Sequence, residues 1–218
     1  MKVLIFGATG RAGSGVLETC LEHPEISAIT SVARRSTGME HAKLTEIIHE
    51  DFLDYSAIES ELRGHDACFW CLGVSSATVR DEETYQLITY DYTMAAAKTL
   101  AELNPELIFC FLTGMGTDPT LKSRFMWARV KGKTETALES VPWGGAYMFR
   151  PGFIIPVGHS KRNPVIGRIM DRCYPILSKL FPGLVISSRE FGLGMINAAL
   201  TKPDKHVFEN RDIREIGR

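Results

Sequence analysis

The sequence predicts an α/β fold, a parallel sheet with helices on both of its faces. Three observations carry that prediction. Short runs rich in apolar residues alternate with longer segments whose apolar positions recur every three to four residues. The first run, Lys2–Phe6, breaks into a glycine-rich turn directly before a helical pattern begins. The central runs are apolar almost throughout, as strands covered on both faces are.

Lys2–Phe6 is the first expected strand, and Gly7 ends it. The first helix runs from Gly10 to about His23, because Ala12, Val16, Leu17, Cys20 and Leu21 fall on one face and Pro24 stops it. Ile26–Ala33 and Leu44–His49 read as the second and third strands, and Ala67–Leu72 as the fourth, closed by Gly73. Glu82–Leu103 reads as one long helix around Ala95, Ala96 and Ala97. Leu107–Leu112 is the fifth strand, the stretch from Arg124 to Leu138 a helix, and Ala146–Phe149 the sixth strand.

Beyond Arg150 the pattern changes. Pro151, Pro156, Pro164, Pro175 and Pro182 cut the chain into short pieces, with a last helix expected over Ser188–Leu200. A tail of under about 70 residues does not fold alone without disulfides or a metal. Residues 1–218 therefore read as one domain, with 151–218 a substrate-side extension over the C-terminal edge of the sheet, where such folds bind ligands. Its apolar pieces include Tyr174, Leu177, Leu180 and Phe181, and either burial within the chain or contact with a second copy or a protein partner would account for them.

Of the 218 residues, 44% are hydrophobic and 23% charged, enough apolar material for a sizeable core. The net charge is −1 and no basic block stands out, so the footprint of a nucleic-acid binder is missing. No apolar run approaches the roughly 18 residues of a membrane span, and Val3–Phe6 is too short for the core of a signal peptide. A cytoplasmic location is the default expectation. The five cysteines are odd in number and lack framework spacing, which favours reduced thiols. Cys68 and Cys71 form a C-x-x-C, but inside an expected strand. Residues three apart on a strand point to opposite faces, so the pair is not a redox motif. No set of residues has the spacing of a metal site.

The chemistry sits in Gly7-Ala8-Thr9-Gly10-Arg11-Ala12-Gly13, between the first strand and the first helix. One glycine makes the tight turn, one lets the backbone approach a pyrophosphate, and one lets the helix pack close to the strand. The helix N-terminus then presents N–H groups and the positive end of its dipole to the phosphates. This is the dinucleotide signature of a Rossmann fold. At the end of the second strand a carboxylate would select NAD by accepting hydrogen bonds from the ribose. Here stand Val32-Ala33-Arg34-Arg35-Ser36 instead, and two guanidiniums suit a 2′-phosphate. The expected cofactor is NADP.

These motifs resemble the atypical short-chain dehydrogenase/reductase superfamily. Within it they are most similar to the NAD(P)H-binding group that holds the Tat-interacting tumour-suppressor protein and the flavin and biliverdin reductases. The resemblance continues through Asp51-Phe52, Asp91-Tyr92-Thr93, Leu112-Thr113-Gly114-Met115-Gly116, Val130-Lys131-Gly132 and Arg150-Pro151-Gly152, covering about residues 1 to 155. It implies that Thr9, Gly10, Arg11 and Ala12 touch the pyrophosphate and that Asp51 and Phe52 lie beside the adenine. It further implies Leu72 and Gly73 at the nicotinamide-side ribose, Lys131 on the ribose hydroxyls, and Phe153 or Ile154 near the nicotinamide.

The pattern departs from the family at the catalytic centre. Classical members carry Tyr-x-x-x-Lys on one helix, where the lysine lowers the phenol pKa and the tyrosine protonates the substrate. The corresponding residues here are Trp127 and Lys131, and an indole N–H donates hydrogen bonds without releasing its proton. Of the usual serine only the hydroxyl of Thr113 remains, which leaves Lys131 and Thr113 as the candidate catalytic residues. Two classes stay open: an NADPH-dependent reductase of a small planar or carbonyl substrate, and a non-catalytic NADP(H)-binding sensor or regulator. A sugar-nucleotide epimerase is the weaker third, since it needs the missing tyrosine. The apolar side chains of Met115, Met126, Trp127 and Phe153 suit a planar substrate or ordinary core packing equally.

Overall fold

The computed structural model describes residues 1–156 and 173–218. Pro164 lies outside the described residues. The main sheet holds β1 (Lys2–Phe6), β2 (Ala28–Ala33), β3 (Leu44–Ile48), β4 (Ala67–Trp70), β5 (Ile108–Leu112), β6 (Gly145–Arg150) and a strand from the tail, β9 (Val207–Glu209). Their order is β3-β2-β1-β4-β5-β6-β9 and every pairing is parallel. The chain leaves β1 in one direction and returns on its other side with β4. A crevice therefore opens between the ends of β1 and β4, the point at which doubly wound sheets bind ligands.

Alternation along each strand divides the core in two. Val3, Ile5, Phe69 and Phe149 pack on one face with α1 (Arg11–Glu22) and α7 (Ser188–Thr201). Leu4, Phe6, Trp70, Phe109 and Phe111 pack on the other with α4 (Tyr92–Leu103) and α5 (Met126–Glu139). Cys68 belongs to the second face and Cys71 to the first, so the C-x-x-C thiols diverge as the period-2 reading expects. Burial pushes the thiols of Cys20, Cys68 and Cys110 well up, and that of Cys71 to about 12. Cys173 is the exposed cysteine.

Three features differ from the sequence expectation. The long helix over Glu82–Leu103 is interrupted. Asp81 caps α3 (Glu82–Gln86) by accepting from the Thr84 N–H at 2.8 Å, and Leu87–Asp91 is wound as a π turn before α4. Such turns shift the register of a helix and are frequent at functional sites. The short helical piece over Ser56–Leu62, including α2 (Glu59–Leu62), has too few turns for a periodic pattern.

The third difference is the tail. β7 (Phe153–Ile155) pairs in parallel with β8 (Val185–Ser187) as a small second sheet, and residues 173–180 form α6 between them. A capping box starts α7: the Ser187 hydroxyl accepts from the Glu190 N–H at 3.1 Å, and the Glu190 carboxylate accepts from the Ser187 N–H at 3.0 Å. β9 then extends the main sheet beyond β6, and α8 (Asn210–Ile216) packs on α7. Residues 188–218 thus supply a helix layer and an edge strand of the main core. Among the described residues no helix is long and apolar enough to cross a membrane, and no His, Cys, Asp and Glu cluster could hold a metal.

Candidate functional site

The turn after β1 demands glycine at its first and last positions, Gly7 and Gly13. Gly7 has φ of +80°, and a Cβ there would sit 2.7 Å from the Cys71 carbonyl carbon at the end of β4. Gly10 closes the turn by donating to the Gly7 carbonyl at 2.8 Å and opens α1 by accepting from Ser14 at 3.1 Å. A Cβ on Gly13 would stand 2.2 Å from the Gly7 oxygen, so Gly13 serves helix-to-strand packing and is buried beneath the turn. Gly10 brings no capping side chain and the first turn of α1 holds no acid. The N–H groups of that turn have no intrahelical partner. The result is a backbone cradle with positive potential, suited to a pyrophosphate.

A groove runs along this turn in two halves. The outer half, about 420 Å³, is lined by Gly7, Thr9, Gly10, Arg34, Arg35 and Phe52. The inner half, about 430 Å³, is lined by Arg11, Ala12, Thr113, Lys131, Phe153 and Ile154. Gly10, Cys71, Leu72 and Gly73 line both, so the halves are continuous over the crevice between β1 and β4. Each half has a volume typical of a small-molecule site.

Arg34 and Arg35 stand exposed where β2 ends. The loop after them is held by Glu46 of β3, which accepts from the Ser36 hydroxyl at 2.6 Å and the Thr37 N–H at 2.7 Å. Partial burial opposes the charge of Glu46, but these hydrogen bonds outweigh it and hold the carboxyl below its ordinary value. Phe52 is buried and leans on Tyr92, with ring centroids 5.7 Å apart. Asp51 does not line the groove. Its carboxylate accepts from the Leu53 N–H at 3.0 Å, a turn-forming role that aspartate often fills.

At the inner end, Lys131 Nζ donates to the Thr113 carbonyl at 2.6 Å. Burial lowers its ammonium to about 8, against the pull of Glu135 one helical turn on. Thr113 lines the groove, but its hydroxyl accepts from the Gly114 N–H at 2.6 Å and faces the Thr117 hydroxyl at 2.6 Å. Thr117 in turn donates to the Gly114 carbonyl at 2.7 Å. The hydroxyl proton of Thr113 is therefore committed to Thr117, and the residue shapes the turn as it stands. Trp127 stands one helical turn before Lys131 on α5, but its ring stacks on Phe125 at 6.4 Å and lies outside the groove lining.

Sequence reasoning missed three groups here. Thr89, 4% exposed, enters the inner wall from the π turn, an interruption that no local signal announces. Arg150 and Glu135 form a buried ion pair outside that lining. Glu135 was readable as the residue one turn beyond Lys131. Its partner on a separate strand was not.

A family model described as NAD(P)H-binding matches residues 7–136. The rat protein named "Protein HTATIP2" is 28% identical over 156 residues, covering 71% of this chain and 63% of the rat protein. Measured against that relative, the chain spans less than two thirds of its length. "Protein fmp52, mitochondrial" of Emericella nidulans is 25% identical over 206 residues, 91% of this chain and 87% of that protein. Among solved structures, UDP-N-acetylglucosamine 4-epimerase from Methanobrevibacter ruminantium aligns with a TM-score of 0.63 at 17% identity, covering 94% of this chain and 74% of the epimerase. The Bordetella bronchiseptica enzyme WbmF, in complex with NAD+ and UDP, aligns at 0.61 and 13% identity, over 91% of this chain and 68% of its own. Those identities speak for the Rossmann fold alone. The matched model, with the glycine turn inside it, decides the family: the chain belongs to the NAD(P)H-binding family.

Proposed function

We propose that the protein is an NADPH-dependent reductase of a small planar acceptor, such as a quinone or flavin ring, or of a small carbonyl compound. The observation that carries this reading is the continuity of the groove. It has two guanidiniums at its outer rim, a phosphate cradle at its middle, and Lys131 at its inner end. When bound, NADPH supplies hydride. Thr9 to Ala12 hold its pyrophosphate, Arg34 and Arg35 its 2′-phosphate, and Leu72 and Gly73 its nicotinamide-side ribose. Phe153, 73% exposed on the wall of the inner half, offers a ring face on which a planar acceptor stacks.

The test is NADPH oxidation against a panel of quinones, flavins and aldehydes, with NADH in parallel. Turnover with a ring acceptor supports the reading, and inertness across the panel defeats it. A second reading, a non-catalytic NADP(H)-binding regulator, is favoured by the committed hydroxyl of Thr113 and by the ring of Trp127 outside the groove. Tight NADPH binding without oxidation by any acceptor would select it.

A further inference from the structure

Lys131 lines the inner half of the groove, with the paired Glu135 and Arg150 outside that lining. Glu135 is 2% exposed and one helical turn beyond Lys131 on α5. Arg150, the last residue of β6, donates from Nε to Glu135 Oε1 at 3.0 Å and grips Oε2 with a terminal nitrogen. Its other terminal nitrogen donates to Glu209 Oε1 at 3.2 Å. Both oxygens of Glu135 thus belong to Arg150 in a two-pronged pair, the strongest geometry open to a carboxylate. Lys131, beside a buried carboxylate, makes no ion pair with it among the described residues. It turns to the neutral Thr113 carbonyl instead.

We propose that Arg150 is a positioning residue: by holding Glu135 away from Lys131 it keeps the lysine ammonium ready to give its proton to the reduced acceptor, the task a tyrosine performs elsewhere in the superfamily. This rests on the reductase reading above. A carboxylate partner would hold that proton tightly, whereas a backbone carbonyl does so weakly. The lowering of Lys131 to about 8 agrees with the geometry. A general acid works best when its pKa lies near the operating pH.

The step balances. Hydride brings two electrons and one hydrogen to the acceptor, which is then one proton short of neutral product. An N–H bond of Lys131 breaks, an O–H or N–H bond forms on the product, and the amine left behind regains its proton from water.

Other ionisable groups surround α5. On α3 and the π turn, Glu82 is paired with Arg129, and the ring of Tyr90 lies beneath Lys133. The same elements carry Glu83, Asp91 and the buried Tyr85, whose hydroxyl burial pushes up. α4 carries Tyr92, and β6 carries Tyr147 and Arg150. The groove adds Arg11 and the thiol of Cys71. Of these groups and Glu135, it is Glu135 whose charge acts on Lys131.

Competitive acetylation of the cofactor-free protein, read by mass spectrometry across pH, measures the proton affinity of Lys131 without any turnover. Wild type should titrate near 8. Arg150→Met frees Glu135 to pair with Lys131 and should raise that value by about one unit, which makes acetylation at neutral pH about tenfold slower. Glu135→Gln removes the attraction and should lower it by about half a unit. Arg150→Met takes the two-pronged guanidinium partner from a buried carboxylate and can unfold the chain, whereas glutamine still offers Arg150 an acceptor, so that variant keeps the test open.

In turnover the donor must be protonated, so the rate should fall as pH rises through the titration of Lys131, and this limb should move with the acetylation midpoint. Shifts of opposite sign support the proposal, since general disruption would move both variants alike. A midpoint unchanged in all folded variants overturns it, as does a turnover limb that stays fixed while the midpoint moves. Inertness toward every acceptor instead defeats the reductase reading and the donor role with it, while the acetylation midpoints report separately on Lys131, Glu135 and Arg150.

Discussion

Arg34 and Arg35 have neither hydrogen bond nor ion pair among the described residues, although both stand at the rim of the groove. A 2′-phosphate would give them one, and a charge-assisted contact contributes about 1.5–3 kcal/mol, roughly tenfold to a hundredfold in affinity. Titration calorimetry should therefore find NADPH bound more tightly than NADH, with most of the difference gone in Arg34→Ala. Equal affinities in wild type would remove the case for NADP. Trp127 bears on mechanism in the same way. From the sequence it occupies the tyrosine position, and Trp127→Tyr would restore an acid. With the ring turned to Phe125 and outside the groove lining, Trp127→Tyr should gain no aldehyde reduction. A gain of even tenfold in steady-state rate would show that the helix turns to present this position. Glycines and arginines were legible because their spacing is local. The committed hydroxyl of Thr113 and the Glu135–Arg150 pair were not, since each depends on a partner that folding brings from elsewhere.

At the scale of elements, the strand–turn–helix unit is expected to separate binding from packing within one motif. Gly10 lines both halves of the groove, and a Cβ there meets only the Gly7 oxygen, at 3.0 Å. Gly13 has no such tolerance, with the same oxygen at 2.2 Å. Gly10→Val should abolish dinucleotide binding while far-UV dichroism stays near wild type. Gly13→Ala should cost about 1–3 kcal/mol of stability in a denaturant titration, because the helix must shift off the strand. If both variants lose only binding, or both only stability, that division of roles fails. Strand existence was readable in the first 150 residues because the central strands β1, β4 and β5 are nearly continuous apolar runs. The break in the Glu82–Leu103 helix was hidden, since a π turn inserts its extra residue without any glycine or proline to mark it.

Over the whole molecule, the tail closes the groove from a distance. Asn210, 2% exposed at the start of α8, accepts from the Gly152 N–H at 2.9 Å. Its amide donates to the carbonyls of Pro182 and Val185, each at 3.0 Å. One side chain from the last helix thus ties the corner after β6, which continues into Phe153 and Ile154 of the inner wall, to the strand beneath it. Asn210→Ala should lower stability by about 1–3 kcal/mol through the buried groups it leaves unpaired. It should also weaken NADPH binding severalfold although it touches no ligand; unchanged affinity in calorimetry would mean that the wall holds its shape unaided. The sequence pattern offered little warning of this arrangement. β9 is three residues long and its neighbour β6 lies some 57 residues earlier, too short and too remote for periodicity to connect them.

The burial of the cysteines has a practical corollary. Four thiols lie inside, three of them around one face of the sheet, and Cys173 alone is open to reagent. A chromogenic disulfide should thus count one fast thiol in the native chain and five after denaturation, with no engineered label. Reaction at the four slow sites follows the opening of the structure that shields them. Because Cys71 borders both halves of the groove, saturating NADPH should slow its modification further still. The chain carries its own gauge of unfolding and occupancy, readable in a cuvette before any substrate is known.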